Sequence, residues 1–292
     1  MTITTFIVAI GTMIFMVYSG LVFDPVLMRE QLKRPRVMLS LAQLTVLNFL
    51  VVPFAALVLI WMLPSPPGLN LAVLTLAMMP CAPVVPLLVA VAGEPPEWSM
   101  FVFLFFSLIG LLLIPVMAQM FPQPWAAGMY AEVTDDTVLR LVTYASLTYF
   151  PLLAGIVLRL LAPAPGLRLK NILRPYIGVF SVLVLSSVFA TRYHEIRAVN
   201  LHDYAVITIF IVLIAALGIV FGPSQPGQPM SSALPTSFRN ISLALAFASI
   251  VFPHTDTTVY VFAITVVQLV LVFAVIWFIK RQRASLIQGD HR

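Results

Sequence analysis

Nine long apolar stretches alternate with short polar segments along the chain. A bilayer core is about 30 Å thick, and a helix needs about 20 mostly apolar residues to cross it. The pattern therefore predicts an all-α integral membrane protein with nine transmembrane helices. The predicted spans are 4–23, 37–63, 71–92, 98–120, 137–161, 173–192, 204–222, 231–253 and 257–280. The breaks between them are rich in proline, glycine or charge, at 29–36, 64–68, 94–97, 132–136, 163–170 and 223–229.

Two of the stretches are interrupted near their middles by proline. One reads P-C-A-P-V-V-P over residues 80–86, and the other reads L-P-T-S-F-R-N over residues 234–240. Proline inside a helix removes a backbone donor, and lipid cannot satisfy the backbone groups that become unpaired. Interrupted helices at matching places in two halves of a chain indicate the midplane binding site of a secondary transporter. We therefore expect the two breaks to approach each other near the bilayer centre.

Basic residues fall mainly on one side of the membrane when nine spans are assumed. That side collects Arg29, Lys33, Arg34, Arg36, Arg159, Arg168, Lys170, Arg174, Lys280, Arg281, Arg283 and Arg292. The other side has only Arg140, Arg192 and Arg197, and Arg239 falls inside a span. Because cytoplasmic loops carry an excess of Lys and Arg, the pattern predicts a cell-membrane (plasma or inner membrane) protein with its N-terminus outside and its C-terminus cytoplasmic.

Spans two to four and spans seven to nine share one order: an intact helix, a broken helix and an intact helix. The two triplets would enter the membrane from opposite sides, as in an inverted-topology repeat. We therefore expect a single transporter domain over residues 1–292. Its core repeats would be 37–120 and 204–280, and its panel helices would be 4–23, 137–161 and 173–192.

The composition excludes several other classes of protein. The chain is 61% hydrophobic and only 9% charged, with a mean hydropathy of +1.04, which is far more apolar than a soluble domain. Its basic residues follow predicted loops, so nucleic acid is not an expected partner. We find no phosphate loop, paired membrane carboxylates or Ser/His arrangement, and we expect neither an enzyme nor a cofactor. The short loop with Glu94 and Glu97 indicates a solvated linker.

Four further motifs resemble those of one transporter family. They read G-L-V-F at 20–23, K-R-P-R at 33–36, L-A-Q at 41–43 and R-N-I-S-L-A-L-A at 239–246. In this order they resemble the bile acid:sodium symporter family and its bacterial relatives. The resemblance implies two inverted three-helix units, a panel of the remaining helices, and a substrate at their interface that crosses by alternating access. It also implies two sodium sites beside the crossing of the broken helices.

The chain departs from the family pattern at those sodium sites. An apolar C-A-P-V-V-P at 81–86 stands where the family has hydroxyl and amide side chains. By the resemblance, the family's sodium-binding Glu falls at Pro235, one Gln falls at Arg239, and another Gln falls at Asn48. A guanidinium repels a nearby cation. We therefore expect no metal site here and no strict coupling to sodium.

Arg239 is the main candidate for substrate binding, because a charge deep inside a predicted span is costly. Its guanidinium would occupy the position of the lost cation and bind an anion, with a carboxylate held bidentately. The alternative interpretation is an arginine that only satisfies carbonyls at the helix break. The other candidate substrate-binding residues are Asn240, Ser237, Thr236, Asn48 and Cys81.

Three functional hypotheses follow. The first is a secondary transporter of a small organic anion, with the lipid bilayer as its other partner. The second is an arsenite-type metalloid exporter that uses Cys81, although a metalloid usually takes several thiolates and the chain has one Cys, which is otherwise a small buried hydrophobe. The third is a membrane sensor that has kept the transporter fold without transport.

Overall fold

The computed structural model describes residues 3–33, 36–120, 135–223 and 230–289. These residues form thirteen α-helices and one π-helical turn, and the described part of the chain contains no β-strand. The elements are α1 (Ile3–Val22), α2 (Pro25–Lys33), α3 (Val37–Val46), the π turn (Leu47–Val51), α4 (Val52–Met62), α5 (Pro67–Met78), α6 (Val85–Val91), α7 (Glu97–Met120), α8 (Asp135–Leu161), α9 (Pro163–Arg197), α10 (Leu201–Phe221), α11 (Met230–Ser237), α12 (Ile241–Val251) and α13 (Thr257–Gly289). The all-α prediction is confirmed for this part of the chain.

Four helical segments of the described chain are long and apolar enough to cross a bilayer. They are Val37–Met62, which joins α3, the π turn and α4, and then Asp136–Leu161, Leu201–Phe221 and Thr257–Trp277. Shorter apolar helices accompany them at Met13–Val22, Pro67–Met78, Glu97–Gly110 and Ile241–Val251. The count of nine spans and the inverted repeat stay predictions. The predicted breaks at 132–136 and 223–229 lie mostly outside the described residues.

Both proline-containing stretches are broken helices, but the breaks differ from those predicted. The first separates α5 from α6, and Pro86 lies in the first turn of α6, where proline is tolerated. The second is shorter than residues 234–240, because α11 continues through Pro235 to Ser237. The N–H of Phe238 still bonds the Leu234 carbonyl at 2.8 Å, so the chain leaves the helix only after this residue.

The two breaks cross and pair with each other. Cys81 and Arg239 form an isolated antiparallel β-bridge. The Ala82 N–H donates to the Phe238 carbonyl at 2.9 Å, and the Asn240 N–H donates to the Pro80 carbonyl at 2.8 Å. Backbone groups released by the helix breaks thereby satisfy one another in a buried environment. The two breaks approach each other as predicted, and their position near the bilayer centre stays a prediction.

Helices α1, α8 and α9 pack on one another, and two glycines allow α1 and α8 to approach closely. A Cβ atom at Gly20 would lie 2.2 Å from the Leu152 carbonyl oxygen, and one at Gly155 would lie 2.3 Å from the Val17 carbonyl oxygen. Small residues at such positions let membrane helices make backbone-to-backbone contact. The α1–α8 interface therefore depends on the absence of side chains at both positions.

Two predicted loops are helical instead. The break predicted at 163–170 is the beginning of α9, because Pro163 occupies its first turn, where the missing N–H has no helical partner in any case. The basic segment at 29–36 contains the end of the short helix α2. Arg29 and Lys33 therefore lie in α2, and Arg168 and Lys170 lie in the N-terminal part of α9.

Candidate functional site

Arg239 lies at the crossing of the two broken helices and is 1% exposed. Its Nη1 donates to the carbonyl of Met79, the residue that follows the last residue of α5, at 2.9 Å. A cation at this position stabilises the negative end of the helix dipole. This contact agrees with a structural role, but it uses only one edge of the guanidinium. Neither Nε nor Nη2 of Arg239 has a hydrogen-bond partner.

The electrostatic environment of Arg239 contains no compensating carboxylate in the described part of the chain. The guanidinium is buried beside Cys81, Met79 and apolar residues of both breaks. Burying a charge without a partner costs several kcal/mol of folding free energy. The arrangement therefore provides a fixed positive charge with two N–H groups available to an acceptor.

The two polar atoms of the Asn240 side chain have different environments: one caps a helix, and the other has no partner. Its Oδ1 accepts a hydrogen bond from the Leu243 N–H at 3.2 Å and so caps the N-terminus of α12. Its Nδ2 is buried and has no partner. The carboxamide thus has one end fixed by the helix, and its other end is a free donor next to Arg239.

Asn48 is placed by an irregular turn in the second predicted span. The π turn ends two residues before Pro53, which lacks the N–H that would pair with the Phe49 carbonyl in an α-helix. In this turn the Nδ2 of Asn48 donates to the Leu44 carbonyl at 2.8 Å and to the Thr236 hydroxyl at 3.4 Å. The Asn48 Oδ1 is buried without a partner. Such π-helical insertions are frequent at functional sites.

Thr236 and Ser237 lie in the last turn of α11, and not in the break as the sequence interpretation had them. The Ser237 hydroxyl donates back to the Ala233 carbonyl at 2.9 Å. The Ser237 carbonyl accepts from Nε2 of Gln268 on α13 at 2.5 Å. The structure therefore brings Asn48 to Thr236 and Gln268 to Ser237, whereas Arg239 and Asn240 lie in the break itself, between α11 and α12.

Cys81 is fully buried and pairs through its backbone with Arg239. It is the single cysteine of the chain. Among the described residues, no group of three or more His, Cys, Asp and Glu side chains could hold a metal ion. No structural observation therefore favours the metalloid hypothesis over an organic substrate.

Two residues at the crossing were not identified from the sequence. Tyr149 of α8 is 5% exposed, and its hydroxyl has no hydrogen-bond partner. The polar neighbours of this hydroxyl include Ser107 of α7 and Asn240. The Ser107 hydroxyl is likewise buried and unpartnered. A single Tyr or Ser in an apolar span carries no local signal of such a position, since both are common in membrane helices.

Glu94 is also misplaced by the sequence interpretation, which assigned it to a solvated linker. It is 3% exposed, and its carboxylate accepts the backbone N–H groups of Met230 and Ser231 at the start of α11. The turn that carries it depends on Gly93, whose φ of 82° favours glycine. Met230, at the start of α11, lies 136 residues after Glu94 in the chain. The local sequence around Glu94 therefore gives no sign of this contact.

Comparison with known proteins adds one finding. A model of the sodium bile acid symporter family matches residues 7–196. This match covers α1 to most of α9, including Asn48, the first broken helix and Cys81, whereas Arg239 and the second broken helix lie beyond it. A search of curated proteins finds no match.

Proposed function

The chain belongs to the sodium bile acid symporter family, and we propose that it carries a small organic anion across the membrane by alternating access without strictly requiring sodium. The family consists of integral membrane transporters of the bile-acid or organic-anion type and not of enzymes, and this supports the proposal. The observation that carries the finer proposal is the unused edge of the Arg239 guanidinium, whose Nε and Nη2 have no partner. A carboxylate accepts two parallel hydrogen bonds from this edge of an arginine.

Charge balance supports an anion as the substrate. The guanidinium remains protonated in proteins, and burial makes an uncompensated charge unfavourable. A bound anion would supply the counter-charge and accept hydrogen bonds from Arg239 and from the free Nδ2 of Asn240. The helix dipole of α12, whose N-terminus Asn240 caps, contributes in the same direction.

The same residues argue against strict sodium coupling. Sodium needs several oxygen ligands, and the resemblance places family ligands at Pro235 and at the apolar Val84 and Val85, whose side chains have no oxygen. Arg239 stands at another of these positions and would repel the ion. Asn48 keeps an amide oxygen, but one such ligand does not make a sodium site. In this proposal the permanent positive charge of Arg239 replaces the charge of the sodium ion.

The proposed movement is of one helix group against another. Helices α1, α8 and α9 pack together and would form the panel, and residues 37–120 and 204–280 would form the core with the crossed breaks. Rocking between them would open the crossing to either side in turn. The asymmetry of basic residues supports an orientation in the cell membrane with the N-terminus outside.

Flux into proteoliposomes tests the proposal. Uptake of carboxylates and sulfonates should persist when potassium or choline replaces sodium. Arg239→Gln should weaken anion affinity at least about tenfold, because a hydrogen bond to a charged group contributes about 1.5–3 kcal/mol. Arg239→Lys should restore only part of it, since lysine keeps the charge but lacks the planar fork.

Arg140→Gln is the matched control, because Arg140 is exposed and pairs with the exposed Asp136 of its own helix at 2.8 Å. This variant should transport as the parent does. Strictly sodium-dependent uptake, combined with an Arg239→Gln variant that binds anions as tightly as the parent, would show that Arg239 is structural.

A further inference from the structure

We propose that Tyr149 and Ser107 complete the anion site around Arg239, with the Tyr149 hydroxyl as the contact contributed by α8. This inference rests on the proposed function and extends it to two residues that neither the sequence pattern nor the family match singles out. It also gives α8 a direct contact with the substrate, in addition to its packing against α1 and α9.

The first support is that these two hydroxyls are exceptions among the buried hydroxyls of the described residues. Serine and threonine in membrane helices usually donate to the carbonyl four residues earlier. Here this is done by Ser19, Thr45, Thr208, Ser237 and Thr265. The Ser107 hydroxyl, in α7, is buried and has no hydrogen-bond partner. Among the buried Ser and Thr side chains in the described helices, only Thr75 also lacks a partner.

The tyrosines give the same contrast. The Tyr204 hydroxyl donates to the Ile196 carbonyl at 2.8 Å, and the Tyr260 hydroxyl donates to Asp203 at 3.0 Å. Tyr149 is more deeply buried than either, near the middle of the apolar segment Asp136–Leu161, and its hydroxyl has no partner. A buried tyrosine hydroxyl normally finds a partner, so its position at the crossing requires an explanation.

The second support is the chemistry of the cluster. The buried groups without a partner here are Nδ2 of Asn240 and the hydroxyls of Tyr149 and Ser107, which are neighbours, together with Nε and Nη2 of Arg239, the residue next to Asn240. All of them can donate a hydrogen bond, and the described residues place no carboxylate among them. A set of hydrogen-bond donors next to one fixed cation matches an anion, whose oxygens accept several hydrogen bonds at once.

The position of Tyr149 on α8 adds a mechanical consequence. Ser107, Arg239 and Asn240 belong to the segments proposed as the core, whereas α8 belongs to the helices proposed as the panel. The Tyr149 hydroxyl can reach the anion only while α8 lies against α12, as it does in this structure. Substrate would then stabilise the arrangement in which the two groups are closed on each other.

The test compares thermal stability and anion binding in the purified full-length parent, in Arg239→Gln and in three further variants. The variants are Tyr149→Phe, Ser107→Ala and, as a control, Tyr144→Phe on the same helix, whose side chain is 43% exposed. The probes are propionate, lactate, benzoate, cholate and taurocholate, each added to the parent and to Arg239→Gln. Probes that stabilise the parent but not Arg239→Gln identify the arginine site and are used with the other variants.

We expect Tyr149→Phe to weaken the Arg239-dependent binding about tenfold, and Ser107→Ala to weaken it by a similar factor. Without added anion, Tyr149→Phe should melt at or above the temperature of the parent, because it removes a buried hydroxyl that has no partner. Tyr144→Phe should bind as the parent does. A purely structural Tyr149 would instead lower the melting temperature and leave anion affinity unchanged.

The outcomes separate the two proposals. If Arg239-dependent binding is present and Tyr149→Phe binds with parental affinity, the inference about Tyr149 is wrong and the proposed function stands. If no probe stabilises the parent, or if Arg239→Gln responds as the parent does, the arginine site itself is contradicted and both proposals fail.

Discussion

The carboxylate of Glu94 accepts two hydrogen bonds from Ser231, one from its backbone N–H at 2.9 Å and one from its hydroxyl at 3.0 Å. These bonds join the turn between α6 and α7 to the first turn of α11, so that each broken helix is tied to the other at a second place besides the crossing. The first amides of a helix have no partner within the helix, and a negative charge there is favourable. Glu94 therefore fixes the relative position of the two half-helices.

Replacing Glu94 should destabilise this connection. Glu94→Ala leaves the first amides of α11 unpaired in a buried place and should cost about 2–3 kcal/mol, with a clear fall in melting temperature. Glu94→Gln keeps an acceptor oxygen and should lose less. Glu30→Ala, at an exposed position of α2, is the control and should melt with the parent. Equal melting temperatures for Glu94→Ala and the parent would contradict the role assigned to Glu94.

The contact between α1 and α8 should not tolerate a side chain at Gly155. Gly155→Val places its Cβ 2.3 Å from the Val17 carbonyl oxygen, and the helices must separate. Overpacking of this kind costs about 1–3 kcal/mol, and more when backbone atoms cannot move. Ala154→Val adds bulk at the neighbouring exposed position and is the matched control. Thermal unfolding in detergent measures both, and a Gly155→Val protein as stable as Ala154→Val would refute the close packing.

Cys81 should react slowly with a thiol reagent. It is the single cysteine, it is fully buried at the crossing, and a maleimide can reach it only when the helices around it separate. Labelling should be much slower than that of a cysteine introduced at Leu201, which is 86% exposed, in a Cys81→Ala background. An anion that closes the site should slow the labelling of Cys81 further. Labelling at the rate of the exposed control would contradict the burial of the crossing.

The termini should lie on opposite sides of the membrane. The expectation rests on the asymmetry of Lys and Arg between the predicted loops. In a Cys81→Ala background, an impermeant thiol reagent applied to intact cells should label Thr2→Cys and leave Asp290→Cys unlabelled. Permeabilised cells, in which both positions should react, serve as the control. Labelling of both in intact cells, or of Asp290→Cys alone, would mean that the predicted orientation is wrong.

The sequence by itself determined the membrane class, the helical architecture and the two interrupted helices. These properties depend on local features: the length of an apolar stretch, the missing N–H of proline and the cost of a charge such as Arg239 within a span. The bounds of the breaks were less accurate, because proline is accepted in a first helical turn and because Pro235 remains inside α11. Local pattern alone does not decide between such alternatives.

The tertiary structure decided which groups at the crossing have partners. Cys81 pairs with Arg239, Glu94 caps α11, and the Tyr149 hydroxyl of α8 lies near Asn240 without a hydrogen-bond partner. Each of these contacts joins residues far apart in the chain, and none has a periodicity or motif that marks it. Glu94 looked like a solvated acid and Tyr149 like an apolar filler, because burial and hydrogen bonding are properties of the folded chain. Whether a polar atom is satisfied or free is fixed only when the helices that surround it come together.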